Sequence, residues 1–279
     1  MTMILPTMDY ITSREFRAFL DKGGDLALVP LGTVERLGPH LPLGARNIVV
    51  SAIARLIANS NNGLCLPVIP YGTVYDAFNQ RGSIDITPGF MHGYSYNVCD
   101  ELVANGFKRI IFVSFQEELY YLSHEYFQEH NLAVIYLNPN SFYEMPDSTV
   151  SSLDAHGREL WRLVGCLQSL GNEETLNRVF EKSREYFHTF APVVNRAKRN
   201  LDLLGVTGHK MGENEWQFYP VNLGKGLEDP SIPFAMPEQA LVDQARDELL
   251  GWIRSLSQSI ADLTTYQNYL NRTTFSRPQ

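Results

Sequence analysis

Residues Asp25 to Arg46 read DLALVPLGTVERLGPHLPLGAR, and the order of residue types along this stretch decides the fold. After Asp25 the chain is apolar at consecutive positions as far as Leu31, the mark of a strand buried on both faces. Gly32, Gly38, Pro39, Pro42 and Gly44 then break any regular element, so Glu35, His40 and Arg46 belong to a loop or its end. From Asn47 to Ala58 the apolar positions Ile48, Ala52, Ile53 and Leu56 recur on one helical face. Upstream, Thr12 and Glu15 have capping-box spacing and predict a helix start. Downstream the alternation repeats: a strand over Cys65 to Pro70, a helix over Phe90 to Asn105 stopped by Gly106, and the strand Arg109 to Ser114 (RIIFVS). A helix over about Gln116 to Glu129 and a strand over Leu132 to Leu137 follow. This pattern predicts an α/β fold, three layers α/β/α around a mostly parallel central sheet. In such sheets chemistry gathers beyond the carboxyl ends of the strands, here after Leu31, Pro70 and Ser114.

The second half is less regular. Asp154 to Leu170 and Leu241 to Leu263 have helical period, whereas Val206 to Pro237 is rich in Gly and Pro, as functional loops and subunit contacts are. The tail after Thr264 is polar and expected to fray. No repeat or linker divides the 279 residues, so a single domain over 1–279 is expected. The net charge of -8 argues against a nucleic-acid binder, which needs a basic face. No apolar run reaches the roughly 18–20 residues that span a bilayer. The start MTMILPTMDY has no basic segment before a long apolar core and predicts no signal peptide. Cys65, Cys99 and Cys166 are odd in number and contain no CxxC, which reads as reduced thiols packed in a cytoplasmic protein.

The segment Leu28 to Arg46 resembles the signature of the creatininase family, cytosolic amidohydrolases that cleave C–N bonds with two metal ions. Pro30, Gly32, Glu35, Gly38, Pro39, His40, Leu41, Pro42 and Leu43 match its pattern in unbroken register. Pro70 to Thr73, Gly82 to Ile84, Asn105 to Phe107 and Asp154 to Gly157 match later family motifs in order, so the resemblance runs over about residues 9 to 263. It implies metal ligands at five positions, and this chain departs from three of them. Glu35 and Glu118 are kept, but Leu37 and Gln116 stand where histidines belong, and Arg46 stands where the bridging aspartate belongs. A guanidinium is a permanent cation that repels a metal and pairs with carboxylates. Arg46 therefore reads as a substitute for the lost metal charge, holding Glu35 and Glu118 together. No metal and no other cofactor is expected.

The catalytic candidates are then His156, Glu35, Glu118 and Arg46. His156 aligns with a family histidine implied to act as acid or base, and an imidazole carries a proton near neutrality without a metal. Its alternative is a helix-start histidine bonded to backbone. Glu35 and Glu118 are either relics tied to Arg46 or a base and a ligand clamp. Gln116, Asp76, Tyr71, Phe115 and His40 are the substrate-binding candidates, although for His40 the resemblance implies a structural role. Ser114 lacks a GxSxG frame, and His124 and His130 lie six apart, off one helical face. Two functions lead: a metal-independent enzyme acting on a C–N bond, by hydrolysis, cyclisation or elimination, in an amide, imine or lactam of a small metabolite, or a non-catalytic relative that binds a ligand or a partner subunit. A third, a conventional metal-dependent amidohydrolase, requires ligands that this sequence does not supply. The expected partners are a small-molecule substrate and further copies of the chain, as a dimer or hexamer, with no nucleic acid and no membrane.

Overall fold

The structure, a computed structural model, describes residues 7–37, 41–74, 82–144, 155–186, 209–210, 216–218, 221–222 and 239–273. In chain order α1 (Ser13–Asp21) is followed by β1 (Leu26–Leu31), α2 (Ala45–Ser60), β2 (Leu64–Cys65), α3 (Pro88–Ala104), β3 (Arg109–Ser114), α4 (Glu118–His130) and β4 (Val134–Leu137). After these come α5 (Ala155–Ser169), α6 (Glu173–Tyr186), the short strands β5 (His209–Lys210), β6 (Trp216–Phe218) and β7 (Val221–Asn222), and α7 (Gln239–Thr273). The first four strands form a parallel sheet in the order β2-β1-β3-β4.

Alternation along the strands divides the core in two. Leu26 and Leu28 of β1 point to one face with Ile111 and Val113 of β3, where α2, α5, α6 and α7 supply Val49, Ile53, Leu163, Val164, Leu176 and Trp252. Ala27, Val29 and Leu31 point to the other face with Ile110 and Phe112, covered by Met91 and Leu102 of α3 and Leu119 and Leu122 of α4. Helices on both faces of a parallel sheet give the three layers that strands apolar throughout require. On α1 the capping box forms as its spacing predicts: the Thr12 hydroxyl accepts from the Glu15 amide, and the Glu15 carboxylate accepts from the Thr12 amide at 2.7 Å. That cap aims Phe16 and Phe19 at Phe107, with ring centroids 5.8 and 6.2 Å apart.

Several elements differ from the sequence expectation, each for a local reason. The strand expected from Cys65 to Pro70 is reduced to Leu64–Cys65. Pro67 has no N–H to continue a ladder, and pairing resumes only at a single Leu31–Ile69 bridge. The last helix runs past Thr264 to Thr273, through residues that contain neither Gly nor Pro to stop it. Within the Gly- and Pro-rich segment, β5, β6 and β7 make a small antiparallel sheet whose strands of 2 to 3 residues are too short to show a period. Among the described residues no helix is long and apolar enough to cross a membrane.

Candidate functional site

The register of the sheet assembles the site. Leu31 stands beside Ser114, so the segments after β1 and β3 leave the sheet side by side. The segment after β2 joins them through the Gly32 amide, which donates to the Ile69 carbonyl at 3.0 Å. Close approach is enforced by glycine. An ideal Cβ on Gly32 would lie 2.9 Å from Asn47 Cα, so the start of α2 presses directly on the strand end. A Cβ on Gly72 would lie 2.9 Å from the Gly32 carbonyl oxygen and 2.8 Å from Gln116 Cδ.

Glu35 lies at the centre of this junction and is 1% exposed. Its Oε1 accepts from the Thr33 hydroxyl and sits 2.9 Å from Nη1 of Arg46, while its Oε2 has no hydrogen-bond partner among the described residues. Arg46 is delivered by the first turn of α2, and its guanidinium carbon lies over the Phe115 ring, 4.8 Å from the centroid. Phe115 follows β3 directly and is buried. Leu37 is buried in the core beside Leu41 and Ala45. Gln116 is buried too, and its side-chain amide pairs with the backbone of Thr73: Oε1 accepts from the Thr73 N–H at 2.6 Å, and Nε2 donates to the Thr73 carbonyl at 2.8 Å. Glu118 opens α4 and is half-buried. Tyr71 stands on the exposed rim. His156 occupies the first turn of α5, of which the backbone is described. His40 and Asp76 lie outside the described residues.

Two side chains that the sequence reading missed complete the cluster. Arg162 of α5 is 2% exposed, pairs with Glu159, and also lies 4.8 Å from the Phe115 centroid. Its signal was present in the sequence, since an arginine between Leu160, Trp161, Leu163 and Val164 interrupts an apolar run. Tyr136 of β4 stands next to Phe112 in register. Burial pushes its hydroxyl above the usual phenol range, the charges of Glu117 and Glu118 push it further, and Asn138 and Arg46 pull the other way. The thiols of Cys65, Cys99 and Cys166 are all buried and each is pushed up to about 12, chiefly by that burial, which leaves them packing groups and not nucleophiles.

Residues 9–118, from the expected α1 region to the start of α4, match the family model for creatininase, described as creatinine amidohydrolase. Over that part the chain is similar to creatininase. Solved structures agree across nearly its whole length. One is a creatinine amidohydrolase (creatininase), 15% identical with a TM-score of 0.60 over 92% of this chain and 98% of that one. A second is a glutamate-to-glutamine variant of creatininase of Zn–Zn type, 14% identical with a TM-score of 0.58 over 91% and 98%. A third is a candidate creatinine amidohydrolase from Bacteroides fragilis, 12% identical with a TM-score of 0.57 over 93% and 96%. At these identities the likeness shows the creatininase fold. No curated protein matches the chain.

A two-metal centre of creatininase type does not fit the described residues. Among them no three His, Cys, Asp or Glu side chains gather as a metal cluster. The Arg46 guanidinium sits on Oε1 of Glu35, and the Gln116 amide is engaged by backbone. A hard or borderline divalent ion needs several anionic or imidazole donors, and a fixed cation at 2.9 Å from its carboxylate opposes it.

Proposed function

We propose that this creatininase-fold chain acts without a metal on a C–N bond of a small amide, imine or lactam. The observation that carries the reading is Glu35, a buried carboxylate with one oxygen held by Arg46 and Thr33 and the other unpartnered among the described residues. A buried acceptor left unmatched costs roughly 1–3 kcal/mol, and such groups persist where a ligand completes them. In this reading Glu35 Oε2 accepts from an N–H of the ligand or takes its proton. The positive charge of Arg46 stabilises negative charge developing on a carbonyl oxygen. Glu118 or Glu35 serves as base, and His156 moves the proton to or from the nitrogen. Plain amide hydrolysis without metal or covalent nucleophile has a high barrier, so cyclisation or elimination suits these groups better.

A second reading, binding without turnover, is favoured by Leu37, Phe115 and Gln116, three buried side chains that fill the site from the strand ends. Both readings are tested by incubating the protein with a panel of small lactams, cyclic ureides and imines, following each by mass spectrometry. Elemental analysis of the same sample is expected to show less than one tightly held zinc, manganese or iron per chain. Turnover that survives EDTA and disappears in Arg46→Met supports the first reading. Thermal stabilisation by a compound that is never consumed supports the second. One or two metal ions per chain, with activity abolished by EDTA, would sink both. The protein is further proposed to work as a closed homo-oligomer, for which symmetric assemblies are the common outcome. Light scattering that reports a monomer at micromolar concentration counts against that.

A further inference from the structure

Arg162 is a buried charge to which the proposed chemistry gives no task. Taking a guanidinium out of water is unfavourable unless its donors find acceptors. Here Nη1 reaches both carboxylate oxygens of Glu159, each at 3.2 Å, and Nη2 donates to Asn140 Oδ1 at 2.8 Å. Asn140 lies in the 3-10 turn Pro139–Glu144 that follows β4. These contacts fix the plane of the guanidinium, and its central carbon lies over the same Phe115 ring, at the same 4.8 Å, as that of Arg46. Two like charges gain nothing from each other, but each is attracted to the ring face, and a planar guanidinium stacks where an ammonium would not.

We infer that Arg162 is a positioning residue for Arg46, acting through Phe115. Glu159 and Asn140 hold Arg162, Arg162 holds the ring, and the ring sets the direction from which Arg46 meets Glu35. The chain of contacts links α5, the helix whose first turn carries His156, to the ends of β1 and β3. The ring is the surface against which Arg46 is set as it meets Glu35 at 2.9 Å. The plain alternative is an ion pair that only pins α5 to the turn after β4. This inference rests on the proposed role of Arg46, but its test reads the Arg46 side chain and not turnover, so either can fail alone.

The test uses the full chain and follows the Arg46 Nε–Hε resonance by NMR, together with phenylglyoxal labelling of Arg46 mapped by peptide mass spectrometry. Arg162→Met keeps most of the stem and removes the plane. Phe115→Leu removes the ring and leaves Glu159 and Arg162 paired. Asn140→Ala releases one hydrogen bond at an exposed position and serves if Arg162→Met does not fold. In all three the Arg46 resonance is expected to lose its ring-current shift and labelling to rise, several-fold in the first two and less in Asn140→Ala. If Arg162→Met, or Asn140→Ala in its place, lowers the melting temperature while the Arg46 resonance and labelling stay as in the parent, Arg162 only pins α5 and the inference is wrong. A response to Phe115→Leu with none to Arg162→Met overturns it equally.

Discussion

Arg46→Ala is expected to lose about 3–5 kcal/mol of stability, read as a fall in the denaturant midpoint with an unchanged slope. The size follows from what remains behind. Glu35 is 1% exposed and keeps the Thr33 hydroxyl as its one hydrogen-bond donor among the described residues once the guanidinium is gone. A carboxylate stranded in the interior has lost its solvation and its counter-charge together. Arg46→Met separates charge from packing, because it keeps a stem against Phe115 and deletes only the cation. If Arg46→Met melts with the parent at neutral pH, Arg46 is not the counter-charge of Glu35. His156→Ala should leave stability nearly unchanged if that residue serves binding or proton transfer.

The sheet was legible because its strands are apolar on both faces: LALVPL and RIIFVS admit few other readings in a chain of this length. The helix α6 escaped because its sequence EETLNRVFEKSREY offers few apolar positions from which to read a period. At the site, the pairing of Glu35 with Arg46 could be read because a cation standing where an anion is expected has few other uses. Arg162 could not be placed, since a helical arginine is ordinarily a solvated one, and only the packing of α5 against α2 and α7 shows that this one is enclosed. Gln116 illustrates a different limit. Its position marked it as a group for a ligand, yet the groups it meets are the amide and carbonyl of Thr73, 43 positions earlier. Backbone partners so distant carry no trace in residue type.

That two-point contact makes the second large effect. Gln116→Leu is close in volume and leaves both the N–H and the carbonyl of Thr73 without their partner, in a residue that is 4% exposed. Each buried group orphaned in this way costs roughly 1–3 kcal/mol, so the loss approaches that of Arg46→Ala through a mechanism that involves no charge. Gln116→Glu discriminates further. Its carboxylate still accepts from the Thr73 N–H but turns a lone pair toward the Thr73 carbonyl, which only the protonated form can satisfy. The folded state therefore raises the pKa of the introduced carboxyl. Stability is retained below its ordinary range near 4.3 and is lost as pH rises through the raised value. The variant should melt close to the parent at pH 4 and well below it at pH 8, after correction for the parent's own pH profile. Should Gln116→Glu and Gln116→Leu both melt with the parent at neutral pH, the amide is not what ties the segment after β2 to the end of β3. In the same way Gln116→His, which restores the family residue, is expected to destabilise when made alone, because an imidazole cannot present a donor and an acceptor side by side to one peptide unit.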